Sequence, residues 1–326
     1  MASAVVAGLL AMLLAVPSAV GNVWLERRVM NIAHQGGEFE APSSTYFSLR
    51  RSVKRGADML EIDVHGTREG NLAVIHDATV DRTTNGSGRV GEKTMAEIRR
   101  LDAAYWFVRG RNAIKGEPAS AYPFRGIRTG DRPPPRGYRR ADFRILSLAE
   151  VFRRFPKIPI NIEIKGNADT DQASFNRNAD LLAALMNRTR RRNVIVVSFN
   201  QAAVDRFHSQ APQVDIAPGI TGVAGYFLAG VRPTEGTVAF QVPTKFNGIE
   251  VASPDFVSRA HQDGYAVHVF LDAPEEENVT VYRELVDACV DGIMTAFPTK
   301  LERFFDIEGL IRPGLPGFDP CAGASG

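Results

Sequence analysis

Cysteine is scarce in this chain: Cys289 and Cys321 are the only two among 326 residues. Two thiols so far apart make neither a disulfide framework nor a zinc site. Cys289, set in an apolar helical pattern, reads as a buried thiol. Charge of one sign is lacking too, with 39 Lys and Arg against 37 Asp and Glu. The +2 balance encodes no global attraction to nucleic acid. No glycine-rich dinucleotide loop is present, which leaves an open doubly wound sheet without its main support. A long apolar run is also missing. The stretch "AVVAGLLAMLLAVPSAV", Ala4–Val20, has 17 residues, where a membrane-spanning helix needs about 20.

That run still sets the N-terminus apart. Residues 1–25 carry no charge, no Lys or Arg precedes the run, and Arg27 and Arg28 follow it. Residues 1–28 are therefore expected to be an apolar anchor or signal segment. The protein would be membrane-associated or exported, with the side of the membrane open.

Beyond residue 28, short apolar runs alternate with amphipathic helices. Strands are expected at 29–34, 59–64, 158–164, 193–199, 214–220, 246–252, 265–271 and 291–296. Helices are expected at 45–55, 171–190, 201–209, 254–263, 276–288 and 298–306. Such alternation argues for a parallel sheet. The run "NLAVIHD" (71–77) follows its predecessor too closely for a parallel crossover and must fold back as a hairpin. Setting it aside leaves eight βα units, the count of a (β/α)8 TIM barrel. The domain spans 29–308, with an insertion at about 107–140 and a disordered tail at 309–326.

The insertion holds nine Lys and Arg against Glu117 and Asp131. Its positive charge, Arg125, Arg128 and Arg132 included, is expected to attract anionic substrate or a lipid surface at the barrel mouth.

Barrel chemistry sits at the C-terminal ends of strands. There this chain places His34, then Glu61 and Asp63 two apart on one strand face, then His76. "NIEIK" puts Asn161, Glu163 and Lys165 on one face and three isoleucines on the other. Three converging carboxylates cannot all stay ionised without a counter-charge. Oxygen donors alone suit a hard divalent cation, Mg²⁺ or Ca²⁺. Two histidines beside it make a general acid and base. His65 reads as packing or support, His208 and His261 as surface residues, and His268 as a satisfied core histidine.

The residues "AHQGG", "ADMLEIDVHGTREGNLAVIHDATVDRTTNGSG", "INIEIK", "VSFN" and "VDGIMTAFP" stand in one order. In these the chain resembles the glycerophosphodiester phosphodiesterases, relatives of the phosphatidylinositol-specific phospholipases C, from about Asn31 to Phe304. The resemblance implies a divalent metal held by Glu61, Asp63 and Glu163, with His34 and His76 as the acid–base pair. Lys165 would contact phosphate or support the metal. The substrate would be a glycerophosphodiester, cleaved to sn-glycerol 3-phosphate and an alcohol. Alternatively it would be a lysophospholipid, cleaved to lysophosphatidic acid, for which the glycines after Gln35 are a cue. A non-catalytic barrel that binds anionic lipid is the third reading. The chain departs from the family at Gln35, where Arg is usual, at Ser43 and Ser44, at Phe270 and at Ala296. Gln35 would donate a hydrogen bond to phosphate in the arginine's place.

Overall fold

The structure is a computed structural model that describes residues 21–271 and 273–322. Eight parallel strands form the barrel: β1 (Met30–Ala33), β2 (Met59–Gly66), β3 (Ile160–Ile164), β4 (Val194–Val197), β5 (Asp215–Ile216), β6 (Ala239–Pro243), β7 (Ala266–Phe270) and β8 (Gly292–Thr295). Hydrogen bonding runs β5-β4-β3-β2-β1-β8-β7-β6. A parallel bridge between Ile216 and Thr237 brings β5 to the entry of β6 and nearly closes the ring. The short strand Leu72–Val74 pairs antiparallel with β2, Val64 opposite Val74.

Eight helices cover the barrel: α1 (Tyr46–Lys54), α2 (Leu148–Arg154), α3 (Gln172–Thr189), α4 (Gln201–Gln210), α5 (Ile220–Ala229), α6 (Pro254–Gln262), α7 (Val279–Asp287) and α8 (Pro298–Glu308). Alternation sorts the core into layers. Leu60, Ile62, Val64 and the three isoleucines of β3 point outward against helices. Met30, Ile32, Met59 and Ile195 fill the interior.

The sixth strand lies at 239–243, not at 246–252. Residues 245–250 instead form a small hairpin, Lys245–Phe246 against Ile249–Glu250, with Phe246 and Ile249 exposed. Both runs carry strand-like apolar residues, and local pattern does not say whether such residues meet a core. Helix α5 was missed for a related reason: "ITGVAGYFLA" has no charged face to give an amphipathic period.

The chain ends are more tightly built than expected. Residues 1–20 of the N-terminal segment lie outside the described residues. From Asn22 onward the chain is part of the barrel, because Trp24 is buried beneath it and donates from Nε1 to Asp215 at 2.7 Å. After Gly309 the chain doubles back rather than trailing off. Phe318 N–H donates to the Gly309 carbonyl, Val29 N–H to that of Ile311, and Arg28 pairs with Asp319. This return brings Cys321 to Cys289, and the two form a disulfide with Cα atoms 5.8 Å apart. The buried-thiol expectation fails because sequence distance hides a spatial neighbour. Among the described residues, no helix is long and apolar enough to cross a membrane.

The 107–140 segment packs beside the barrel. Phe107 and Phe124 join Phe47 and Phe143 in a separate small core. The Arg125 guanidinium lies 3.6 Å from the Tyr122 ring centroid and against Tyr105 and Trp106. Arg125, Arg128 and Arg132 donate to the backbone carbonyls of Tyr105, Arg99 and Tyr122. These three cations are committed to holding the insertion together.

Candidate active site

Strand register brings the acids together. Asp63 of β2 lies opposite Glu163 of β3, two pairs beyond Glu61 opposite Asn161. Alternation turns all four inward, and one oxygen from each of Glu61, Asp63 and Glu163 falls within 4.8 Å of the others. Lys165 Nζ sits 2.8 Å from Glu163 and 3.2 Å from Asp63.

The electrostatics reflect crowding. Burial, and then the Asp63 charge, pushes Glu61 up to about 8. Burial also raises Glu163, against the pull of Lys165. For Asp63, burial is outweighed by Lys165, which holds the carboxyl below its ordinary range. Beyond the Lys165 ammonium, neither buried Asp63 oxygen has a hydrogen-bond donor. A buried carboxylate with acceptor sites left over is costly. Three oxygen donors from two rigid strands, one of them held by a single cation, fit a hard divalent cation.

The histidines flank this cluster, each gripped from behind. His34 follows β1, where the chain turns sharply through Gln35 at φ 45°. Gly36 and Gly37 continue the turn at φ 75° and 82°, where a Cβ would lie 2.8 Å from Leu49 and Pro298 respectively. That packing accounts for the glycine pair. His34 Nδ1 lies 2.5 Å from Glu38, leaving Nε2 3.8 Å from Glu61. Burial by itself would lower the His34 imidazole, but Glu38 and Glu61 outweigh it and raise it to about 10. His76 pairs through Nδ1 with Asp77 at 2.9 Å, and Arg82 clamps Asp77 with two bonds. His65 Nε2 lies 3.0 Å from the His76 carbonyl oxygen, and burial lowers its pKa. The neutral ring donates that bond and steadies the segment bearing His76.

A cavity of about 520 Å³ opens above, lined at its polar end by His34, His76, Glu61, Glu163 and Lys165. Gln35 does not line it. Its side chain is buried, while its backbone N–H donates to Glu61 at 2.8 Å. No residue of 107–140 lines the cavity either, so the expected cover over the mouth lies to one side. Glu38, Asp77 and Arg82 were missed in the sequence. Their signals were local: an acid four residues after His34, one next to His76, and a base five after that acid.

Residues 34–300 match the Glycerophosphoryl diester phosphodiesterase family. A glycerophosphodiester phosphodiesterase of Caldanaerobacter subterraneus is 27% identical over 292 residues, 89% of this chain and 93% of that protein. A lysophospholipase D of Rattus norvegicus is 24% identical over 85% of this chain and 86% of its own. Among solved structures, an Oleispira antarctica phosphodiesterase in complex with the product sn-glycerol-3-phosphate aligns with TM-score 0.61 at 18% identity. It covers 84% of this chain and 96% of that one.

Proposed function

The chain belongs to the glycerophosphoryl diester phosphodiesterase family, and on that premise we propose how its residues divide the work. The enzyme hydrolyses glycerophosphodiesters: water and a phosphodiester give sn-glycerol 3-phosphate and an alcohol. Glu61, Asp63 and Glu163 hold a divalent cation, Mg²⁺ or Ca²⁺. His34 and His76 are the acid–base pair, and Lys165 contacts a phosphate oxygen. The observation that carries this reading is the convergence of three buried-strand carboxylates within 4.8 Å, between two braced histidines.

A phosphodiester resists attack because its own negative charge repels a nucleophile. A bound cation supplies charge neutralisation and orients the phosphate oxygens. The protein supplies proton transfer and position. Nδ1 of each imidazole is engaged by a carboxylate, so Nε2 is the nitrogen left for the reaction. One ring takes the proton of the attacking hydroxyl or water, and the other gives a proton to the departing alcohol oxygen. Lys165, already among the acids, adds a fixed positive charge beside the phosphate.

Location follows from two features. The Cys289–Cys321 disulfide suits an oxidising compartment, and the apolar run Ala4–Val20 suits export or anchoring. The barrel would then work outside the cytoplasm, near a membrane surface.

The deciding assay measures release of sn-glycerol 3-phosphate from glycerophosphocholine. Activity should vanish in excess chelator and return with Mg²⁺ or Ca²⁺. Glu61→Ala, Asp63→Ala and Glu163→Ala should each abolish it with the fold retained. Full activity in chelator would sink the metal reading.

A further inference from the structure

The two ends of the barrel differ in charge. The reaction cavity opens at the strand exits, where α5 and the 245–250 hairpin line its apolar wall. At the strand entries, three segments lead into β2, β3 and β4: "KRGAD" (54–58), "RRFPKIP" (153–159) and "RTRRRN" (188–193). Together they hold nine Lys and Arg against one acid, Asp58. Strand pairing sets them side by side. Leu60 N–H donates to the Pro159 carbonyl and Ile160 N–H to that of Asn193. The Asn193 amide in turn donates to the Lys157 carbonyl at 2.9 Å.

Three of the nine cations are engaged within the protein. Arg191 donates to the carbonyls of Phe152 and Ile158, and Arg192 to that of Gln213. Arg154 lies 4.0 Å from the Tyr46 ring centroid and pairs with Asp142. Lys54, Arg55, Arg153, Lys157, Arg188 and Arg190 are exposed, and among the described residues they form no ion pair. Asp58 does not offset them, being half-buried and accepting from Asn31 N–H. Helix dipoles favour Lys54, Arg153 and Arg188, in the last turns of α1, α2 and α3. They do nothing for Lys157, beyond the end of α2, and they do not keep acids out of the surface between. Grouped like charges repel, so the folded chain by itself gains nothing from this sector.

Its partner is identified by what else meets the barrel at the same end. Asn22 Nδ2 donates to the carbonyls of Val238 and Gly264, just before β6 and β7. The chain therefore joins the fold at the strand entries, directly after the uncharged apolar run Ala4–Val20. A nucleic acid would have no use for that run. A bilayer with anionic head groups uses both features, since an apolar segment and a basic surface hold a protein more firmly together than either does alone.

We propose that this basic sector is a docking surface for an anionic lipid bilayer, and that the barrel stands on it with its reaction mouth turned to water. Attachment and hydrolysis then occupy opposite ends of the barrel. Substrate reaches the acids from solution rather than from the bilayer beneath.

The test measures partition of the full chain onto phosphatidylcholine vesicles, with and without about one-third phosphatidylglycerol, in about 0.1 M salt. Each cation at such a surface strengthens binding about fivefold. Phosphatidylglycerol should therefore raise partition by about 100-fold or more. K157Q/R188Q/R190Q should lose about 100-fold of that gain, whereas R89Q/R100Q/R136Q, three exposed cations outside the sector, should lose less than about fivefold. Salt at about 0.5 M should remove most of the gain. No gain with phosphatidylglycerol overturns the proposal, as does a gain that K157Q/R188Q/R190Q keeps. Binding to duplex DNA without a gain on vesicles reassigns the sector to nucleic acid and overturns it too. Bound and free enzyme should hydrolyse glycerophosphocholine with equal kcat/KM, and a fall on binding would place the mouth against the bilayer and overturn the orientation. No hydrolysis in either state would overturn the phosphodiesterase reading and leave partition to decide this one.

Discussion

Glu38 Oε1 lies 2.5 Å from Nδ1 of His34, and Glu38 is itself only 4% exposed. A buried carboxylate behind a histidine fixes both ring orientation and tautomer, so Nε2 faces the cavity. Glu38 acts through His34, as a positioning residue. Glu38→Gln should lower kcat about 10- to 100-fold with KM little changed, and Glu38→Asp should recover part of that loss. Equal losses in the two variants would mean that Glu38 matters only for packing.

His34→Ala and His76→Ala should each lower kcat by about 10² to 10⁴, the usual worth of general acid–base catalysis. His65 bonds the His76 carbonyl and does not line the cavity. His65→Ala should therefore cost far less at matched folding. Steady-state kinetics at saturating cation decide this, and a His65 loss equal to that of His76 would reverse the assignment.

His268 gives a pH dependence unrelated to catalysis. Its ring is fully buried and neither nitrogen has a hydrogen-bond partner, so the expected satisfied core histidine is core but unsatisfied. Burial, partly offset by Asp291, lowers its pKa to about 4. An unfolded chain takes up this proton near 6.5, which the folded chain resists until about 4. Stability is thus retained above the unfolded value and lost as pH falls across that window, by up to about 3 kcal/mol. Urea denaturation at a series of pH values should show the slope, and His268→Leu should flatten it.

Arg125 belongs to a cage of three aromatic rings rather than to the substrate path. Arg125→Gln should lower stability by about 1–2 kcal/mol. The salt dependence of kcat/KM should stay unchanged. Thermal unfolding reads the first and kinetics at varied ionic strength the second. A lowered salt slope at unchanged stability would restore the electrostatic role expected from composition.

The chain's alternation alone determined that Glu61, Asp63 and Glu163 would share inward faces, because strand side chains repeat every two residues and that period is local. The same locality made the barrel, the two histidines and the hairpin after β2 legible before any contact was known. Register lay beyond it, since only pairing of β2 with β3 sets Asp63 beside Glu163. So did the partners of side chains whose type was plain. Arg125 looked like free charge until three rings closed round it, and Cys289 looked solitary until the returning tail brought Cys321. The exposed run at 246–252 and the uncharged α5 carry the deepest ambiguity. An apolar residue has the same local pattern whether it packs on a core or waits at a cavity wall, and only the fold decides which lies opposite.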